Sequence, residues 1–254
     1  VAALAPTNQF ADFQTVPSTL QGFVDDLANL DVLTPASINN QQQALFEPNA
    51  VITRATFARW LVATNNRINR DRPTAQLRLA SPESSQPAFA DVPPTHPDFS
   101  YIQGLAESGY LPSKLTGDTT ETSFRPDAPL TRETLLLWKV PLDRQQVLPT
   151  MTAAKVKELW GFKDSDRISP GAMAAVAADH QNGDLANIRR FVGTSLLFQP
   201  QKSVTRAEAA SALWYVGVDG KGVSAKDLRR AEAQLSNPTP GASPNAAPGA
   251  SPRP

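Results

Sequence analysis

A short pattern occurs three times in this chain, at constant internal spacing. It reads FEPNAVITRATFARW over residues 46–60, FRPDAPLTRETLLLW over 124–138, and FQPQKSVTRAEAASALW over 198–214. In each copy Phe is followed two residues later by Pro, and eight residues later by the Arg of a Thr-Arg pair: Arg54, Arg132 and Arg206. A Phe-x-Asp tripeptide precedes each copy, ending in Asp12, Asp91 and Asp164, which lie 42, 41 and 42 residues before those arginines. Two motifs holding one separation in three copies define a repeat of roughly 50 residues, and a repeat constrains the fold more than any single segment does.

Each unit reads as helix, loop, helix. Pro17, Pro97 and Pro170 follow the Phe-x-Asp motif closely, and Pro suits a first helical turn. Thr95 with Asp98 resembles a capping box at the same place. Apolar residues then recur at helical spacing: Leu20, Phe23, Val24, Leu27 and Leu30 in the first unit, Ile102, Leu105 and Ala106 in the second, Leu185, Ile188, Phe191 and Val192 in the third. Thr-Arg opens the second helix. Two helices cannot bury their apolar faces alone, so the three units are expected to pack on one another. The expected architecture is an all-α, pseudo-threefold bundle over residues 7–218, with units at about 10–65, 89–141 and 162–217. The linker 66–88 reads as an exposed loop, and 139–161 as holding a short helix. A short C-terminal helix is expected within 219–235. Residues 236–254, with six Pro and two copies of PGASP, have the composition of a disordered tail.

Composition excludes several functions. The 24 basic and 24 acidic residues balance without a block of one sign, which argues against nucleic-acid and anionic-membrane partners. The chain has no Cys, hence no disulfide and no thiolate chemistry. No apolar run approaches the ~18 residues of a membrane-spanning helix. A start at Val1 rather than Met reads as processed or trimmed. His96 and His180 are isolated, and no zinc-protease, phosphate-loop, nucleophile-elbow or EF-hand pattern occurs, so neither an enzyme, a cofactor nor a metal site is expected.

The Phe-x-Asp start, the Phe-x-Pro turn and the T-R-A-E helix opening resemble the S-layer homology family. Val204-Thr205-Arg206-Ala207-Glu208 is the fullest copy; Leu130-Thr131-Arg132-Glu133-Thr134 and Ile52-Thr53-Arg54-Ala55-Thr56 depart from it at the last position. The resemblance implies a three-repeat helical bundle with grooves between repeats, anchored to peptidoglycan-linked wall polysaccharide, often through pyruvylated sugars. It implies a non-catalytic module that is exported and wall-associated, in the envelope or periplasm. Another class of function stays open: a scaffold that has lost glycan binding and docks another envelope protein.

Thr53, Thr131 and Thr205 read as helix N-caps, and Thr205 with Glu208 as a capping box. Capping leaves Arg unexplained, because a cation in the first helical turn opposes the helix dipole. Arg54, Arg132 and Arg206 therefore call for a partner. It is either a carboxylate such as that of Asp12, Asp91 or Asp164, or an anionic ligand that also meets helix N–H groups. Arg206, in the complete motif, is expected to matter most. Asp12, Asp91 and Asp164 themselves read as structural, ordering the turn that follows them. Trp60, Trp138 and Trp214 read as core residues, with the alternative that one edge lines a sugar groove; Tyr110, after Gly109, is the better groove candidate.

Overall fold

A computed structural model describes residues 9–117 and 122–236 of the chain. The fold is mostly helical. The first unit contributes α1 (Gln21–Ala28) and α2 (Arg54–Ile68), the second α3 (Phe99–Glu107) and α4 (Arg132–Arg144). The linker helix α5 (Ala153–Trp160) follows, capped by Thr152 and closed by left-handed Gly161. The third unit holds α6 (Pro170–Asp179), α7 (Asn187–Phe191) and α8 (Arg206–Leu213), and α9 (Ala225–Ser236) ends the described chain. Among the described residues two small antiparallel sheets accompany them: β1 (Ser37–Ile38) with β2 (Ala44–Leu45), and β3 (Tyr215–Val216) with β4 (Val223–Ser224).

The units close on one another in a ring. The second helix of each unit packs on the first helix of the next: α2 on α3, α4 on α6, and α8 on α1. At the centre, the residue before each Thr-Arg pair is buried, and three backbone bonds run in one direction round the axis. Ile52 N–H donates to Val204 C=O (3.0 Å), Val204 N–H to Leu130 C=O (2.9 Å) and Leu130 N–H to Ile52 C=O (3.0 Å). Three isolated bridges flank this triangle: Val51 with Thr205, Thr53 with Pro129, Thr131 with Ser203. No unit can complete these bonds without both neighbours. Unpaired buried backbone groups are costly, so the ring couples the three units into one folded body.

All three threonines cap their helices, accepting from the N–H of Thr56, Thr134 and Glu208. Glu208 returns the bond to the Thr205 N–H at 2.9 Å, which completes a capping box. Thr205→Ala is expected to lower unfolding free energy by ~1 kcal/mol. An unchanged urea midpoint with unchanged slope would reject that capping role.

The third unit departs from the other two. Its first helix is the alanine-rich α6, which takes the place next to α4; the stripe from Leu185 to Val192 forms the separate, five-residue α7. Gly183 (φ 53°, ψ −125°) interrupts the helical path between them. The buried Asp179 carboxylate restarts it, accepting from the N–H of Asn187 and Ile188 at 2.9 Å each. Thr95 does not cap α3: Asp98 holds that position and its side chain pairs with Arg59 instead. The linker 66–88 is not simply an exposed loop. Leu77 and Ala80 are buried, and Asn66 holds Leu77 through both its N–H and its C=O. Gly104 of α3 permits that close approach, since a Cβ there would stand 2.5 Å from the Arg78 carbonyl oxygen.

The C-terminal helix docks back on the first unit. Arg229 pairs with Asp25 and Asp26 of α1 at 2.7 Å each, and Glu232 with Arg67 of α2 and with Arg70 just beyond it. Of the tail expected over 236–254, Ser236 is the last residue of α9 and the rest lies outside the described residues.

Candidate functional site

The Phe-x-Asp carboxylates do order a turn, but one that lies more than thirty residues ahead. Asp12 accepts from the N–H of Phe46 and Glu47, Asp91 from Phe124 and Arg125, Asp164 from Phe198 and Gln199, all at 2.6–2.9 Å. The residue after each Phe adopts left-handed backbone: Glu47 (φ 54°), Arg125 (φ 56°) and Gln199 (φ 54°). A side chain other than glycine pays for that conformation, and two charge-assisted bonds hold it in place. The clamp turns each Phe carbonyl towards the preceding unit of the ring.

Those carbonyls are what the arginines meet. Arg54 Nε donates to Phe124 C=O (2.7 Å), Arg206 Nε to Phe46 C=O (2.6 Å), and Arg132 through a terminal nitrogen to Phe198 C=O (2.8 Å). The Arg54 guanidinium also lies over the rings of Phe124 (5.0 Å) and Trp138 (4.8 Å), and that of Arg206 over Phe46 (5.1 Å) and Trp60 (4.7 Å). Each of these arginines is thus a cation seated on the aromatic pair of the next unit. Nor are the helix-start N–H groups open to a ligand. Those of Arg54 and Ala55 donate to Ala128 and Pro126, those of Arg132 and Glu133 to Lys202 and Pro200, those of Arg206 and Ala207 to Ala50 and Pro48. The backbone half of the anion site expected from sequence is used in joining the units.

The junction between units two and three differs from the others. The position equivalent to Trp60 and Trp138, fourteen residues after Phe, is Ala212 in the third unit. Trp214 packs against the core from two residues further on. It is half-buried at the end of α8, edge-on to Phe23, with its Nε1–H on Asp26 at 2.8 Å. Without a Trp beneath it, Arg132 turns towards Glu208 (3.5 Å) and leaves its own Nε unpartnered. Burial lowers the Arg132 pKa, with Glu208 opposing; burial likewise brings Arg206 down to about 10, opposed by Glu47 and Asp12, so Arg206 stays charged at neutral pH.

Exposure separates the three arginines. Arg132 and Arg206 are each 5% exposed. Arg54 is only partly buried and lines a cleft of about 260 Å³, with Trp138, Thr134, Leu137, Glu133 and Arg125 around it. Tyr110 is not in that cleft. It lines a neighbouring groove that shares Leu137, and burial raises its hydroxyl pKa. Glu133 is the residue sequence reasoning passed over: it faces the Arg54 cleft while accepting from Ser169 N–H and Gln201 Nε2 of the third unit.

Among the described residues no helix is long and apolar enough to cross a membrane, and no cluster of three or more His, Asp or Glu is placed to hold a metal ion. No curated protein matches the chain. Residues 88–136 match the family model of the S-layer homology domain. That family is a binding module rather than a catalytic one, and it points to the cell surface or cell wall. The matched stretch, residues 88–136, falls on the second of the three units described above.

Proposed function

We propose that the three units act together, over residues 7–218, as an exported anchor for peptidoglycan-linked polysaccharide, and that the cleft at Arg54 receives an acidic sugar. The observation that carries this reading is the placement of Arg54, a partly buried residue whose guanidinium lies over Trp138 and Phe124 in a cleft lined mostly by the matched second unit. An aromatic-backed guanidinium supplies both charge and a planar donor fork to a carboxylate, including that of a pyruvylated sugar. Leu137 joins this cleft to the Tyr110 groove, which offers a continuing sugar an aromatic edge. Arg132 and Arg206 take structural weight in this reading. Each is buried and spent on a Phe carbonyl, and the complete T-R-A-E motif of Arg206 is accounted for by the Thr205–Glu208 capping box.

Their burial also favours a second reading, in which the ring is only a scaffold for another envelope protein. Sedimentation on purified sacculi separates the two. The wild type is expected to co-sediment. Arg54→Ala should weaken binding about 10- to 100-fold, the worth of one charge-assisted contact, and Arg54→Lys should restore part of it. Equal sedimentation of wild type and Arg54→Ala would remove the site. Failure of the wild type to bind sacculi from its own source would replace the glycan anchor with the scaffold.

A further inference from the structure

The threefold repeat supplies an internal control, because equivalent positions of the three units can be compared within one chain. The backbone bonds fix the equivalence. Lys163 N–H bonds Leu196 as Ala90 bonds Thr122 and Ala11 bonds Ala44; Lys202 C=O accepts from Arg132 as Ala128 accepts from Arg54 and Ala50 from Arg206. Arg167, three residues after the motif Asp, corresponds to Thr15 and Pro94. The first unit thus reads Ala11, Thr15, Ala50 and the second Ala90, Pro94, Ala128, where the third reads Lys163, Arg167, Lys202. At three positions contributed by two separate loops, the third unit alone carries cations.

These cations meet at one cleft of about 520 Å³, lined by third-unit residues only. That volume falls in the range of small-molecule sites. All three side chains are exposed, and among the described residues none has an ion pair to a carboxylate. Of the two acids in the cleft, Asp164 is committed to the N–H groups of Phe198 and Gln199, whereas Asp166 is exposed. Leu197 (43% exposed) and Pro200 add an apolar wall, and Gln199 and Gln201 also line the cleft, the Gln201 amide N–H being held by Glu133.

We propose that this cleft is a second binding site, apart from the arginine ring, for a monosaccharide carrying a phosphate group. Three convergent cations exceed what a single carboxylate can use and suit a phosphate dianion, which offers three acceptor oxygens. The apolar wall faces the C–H side of a sugar ring. Asp166 and the Gln201 amide oxygen supply acceptors for its hydroxyls, and the Gln199 amide both a donor and an acceptor. The site stands on its own residues and does not depend on wall binding at Arg54.

The test is titration calorimetry at low ionic strength with four probes: glucose 6-phosphate, glucose, glucuronate and inorganic phosphate. Glucose 6-phosphate is expected to bind more tightly than the other three, and more weakly as salt is raised. The variant K163A/R167T/K202A places the first unit's own residues at these positions, so the fold already accommodates them. It should weaken glucose 6-phosphate about tenfold or more, the combined effect of three exposed charge contacts, with its melting temperature unchanged. Arg54→Ala should leave this binding intact even where it abolishes sedimentation on sacculi. Absence of glucose 6-phosphate binding, or equal binding by the triple variant, overturns the site. Glucuronate binding as tightly overturns the phosphate assignment, and inorganic phosphate binding as tightly overturns the sugar.

Discussion

Replacing Lys139 with alanine is expected to lower the unfolding free energy by about 3–5 kcal/mol, the cost of breaking a buried ion pair from one side. Lys139 is completely buried in α4. Its ammonium lies 2.6 Å from Asp143 and donates to the Tyr215 carbonyl at 2.8 Å; the other Asp143 oxygen accepts from Gly217 N–H. One side chain of the second unit therefore holds the β3 strand at the end of the third. Asp179 and Arg190 lie close enough to act on it, so that four ionisable side chains share this part of the core. Burial lowers the Lys139 pKa, with Asp143 opposing, and raises that of Asp179, whose bonds from Ile188 and Asn187 oppose. In Lys139→Ala the Asp143 carboxylate stays buried without its cation, and the Tyr215 carbonyl loses its donor. The double variant Lys139→Met/Asp143→Leu removes both charges and should recover most of the loss, since an apolar pair of similar volume often matches a buried salt bridge. Urea unfolding checks both. A loss below ~1 kcal/mol in the single variant would mean that the pair contributes no more than an exposed one.

The ring was legible in the sequence because its parts sit at fixed local spacing. Phe-to-Arg spacing of eight reflects a turn and an N-cap that each unit must build in the same way, and Thr-x-x-Glu at Thr205 is a local signal of a helix start. What stayed hidden is long-range. No local rule says that Asp12 clamps Phe46 and Glu47, or that Arg54 reaches the carbonyl and rings of the following unit. The left-handed residues are Glu47, Arg125 and Gln199, none of the glycines or asparagines that usually mark such a turn, because the distant Asp supplies the compensation. Trp214 misleads for a simpler reason. It stands sixteen residues after Phe198, where Trp60 and Trp138 stand fourteen after theirs, so it falls past the end of α8 and meets α1 instead. Counting that spacing also exposes Ala212, and with it the altered junction in which Glu208 replaces a tryptophan as the companion of Arg132. The aligned positions of Lys163, Arg167 and Lys202 are readable in the same way, but only the fold gathers them at one cleft.

Asp91→Ala should lower stability by roughly 2–4 kcal/mol, because it leaves two backbone donors without their acceptor and releases a strained turn. Asp91 accepts from the Ser123 hydroxyl at 2.7 Å and from the N–H groups of Phe124 and Arg125 at 2.8 and 2.6 Å. Arg125 is the left-handed residue, and the Phe124 carbonyl beside it is the acceptor of Arg54. Losing the carboxylate therefore loosens the turn on which the proposed glycan cleft is built. The pH dependence carries a sign that a neutral packing role would not produce. Burial raises the Asp91 pKa, but the bonds from Ser123, Phe124 and Arg125 outweigh it and hold the group below its usual value of 3.8. The folded state thus prefers the charged form more than the unfolded chain does. The resulting stability is fully present above the unfolded pKa and is lost as pH falls from 3.8 through the lower folded value. Wild type and Asp91→Ala should accordingly differ by a constant amount from pH 5 to 7, set by the lost bonds, and converge as the pH drops below about 3.8. Urea midpoints across that range measure the difference directly. A gap between the two proteins that persists unchanged at the acid end would show that the side chain acts through its shape and not through its charge.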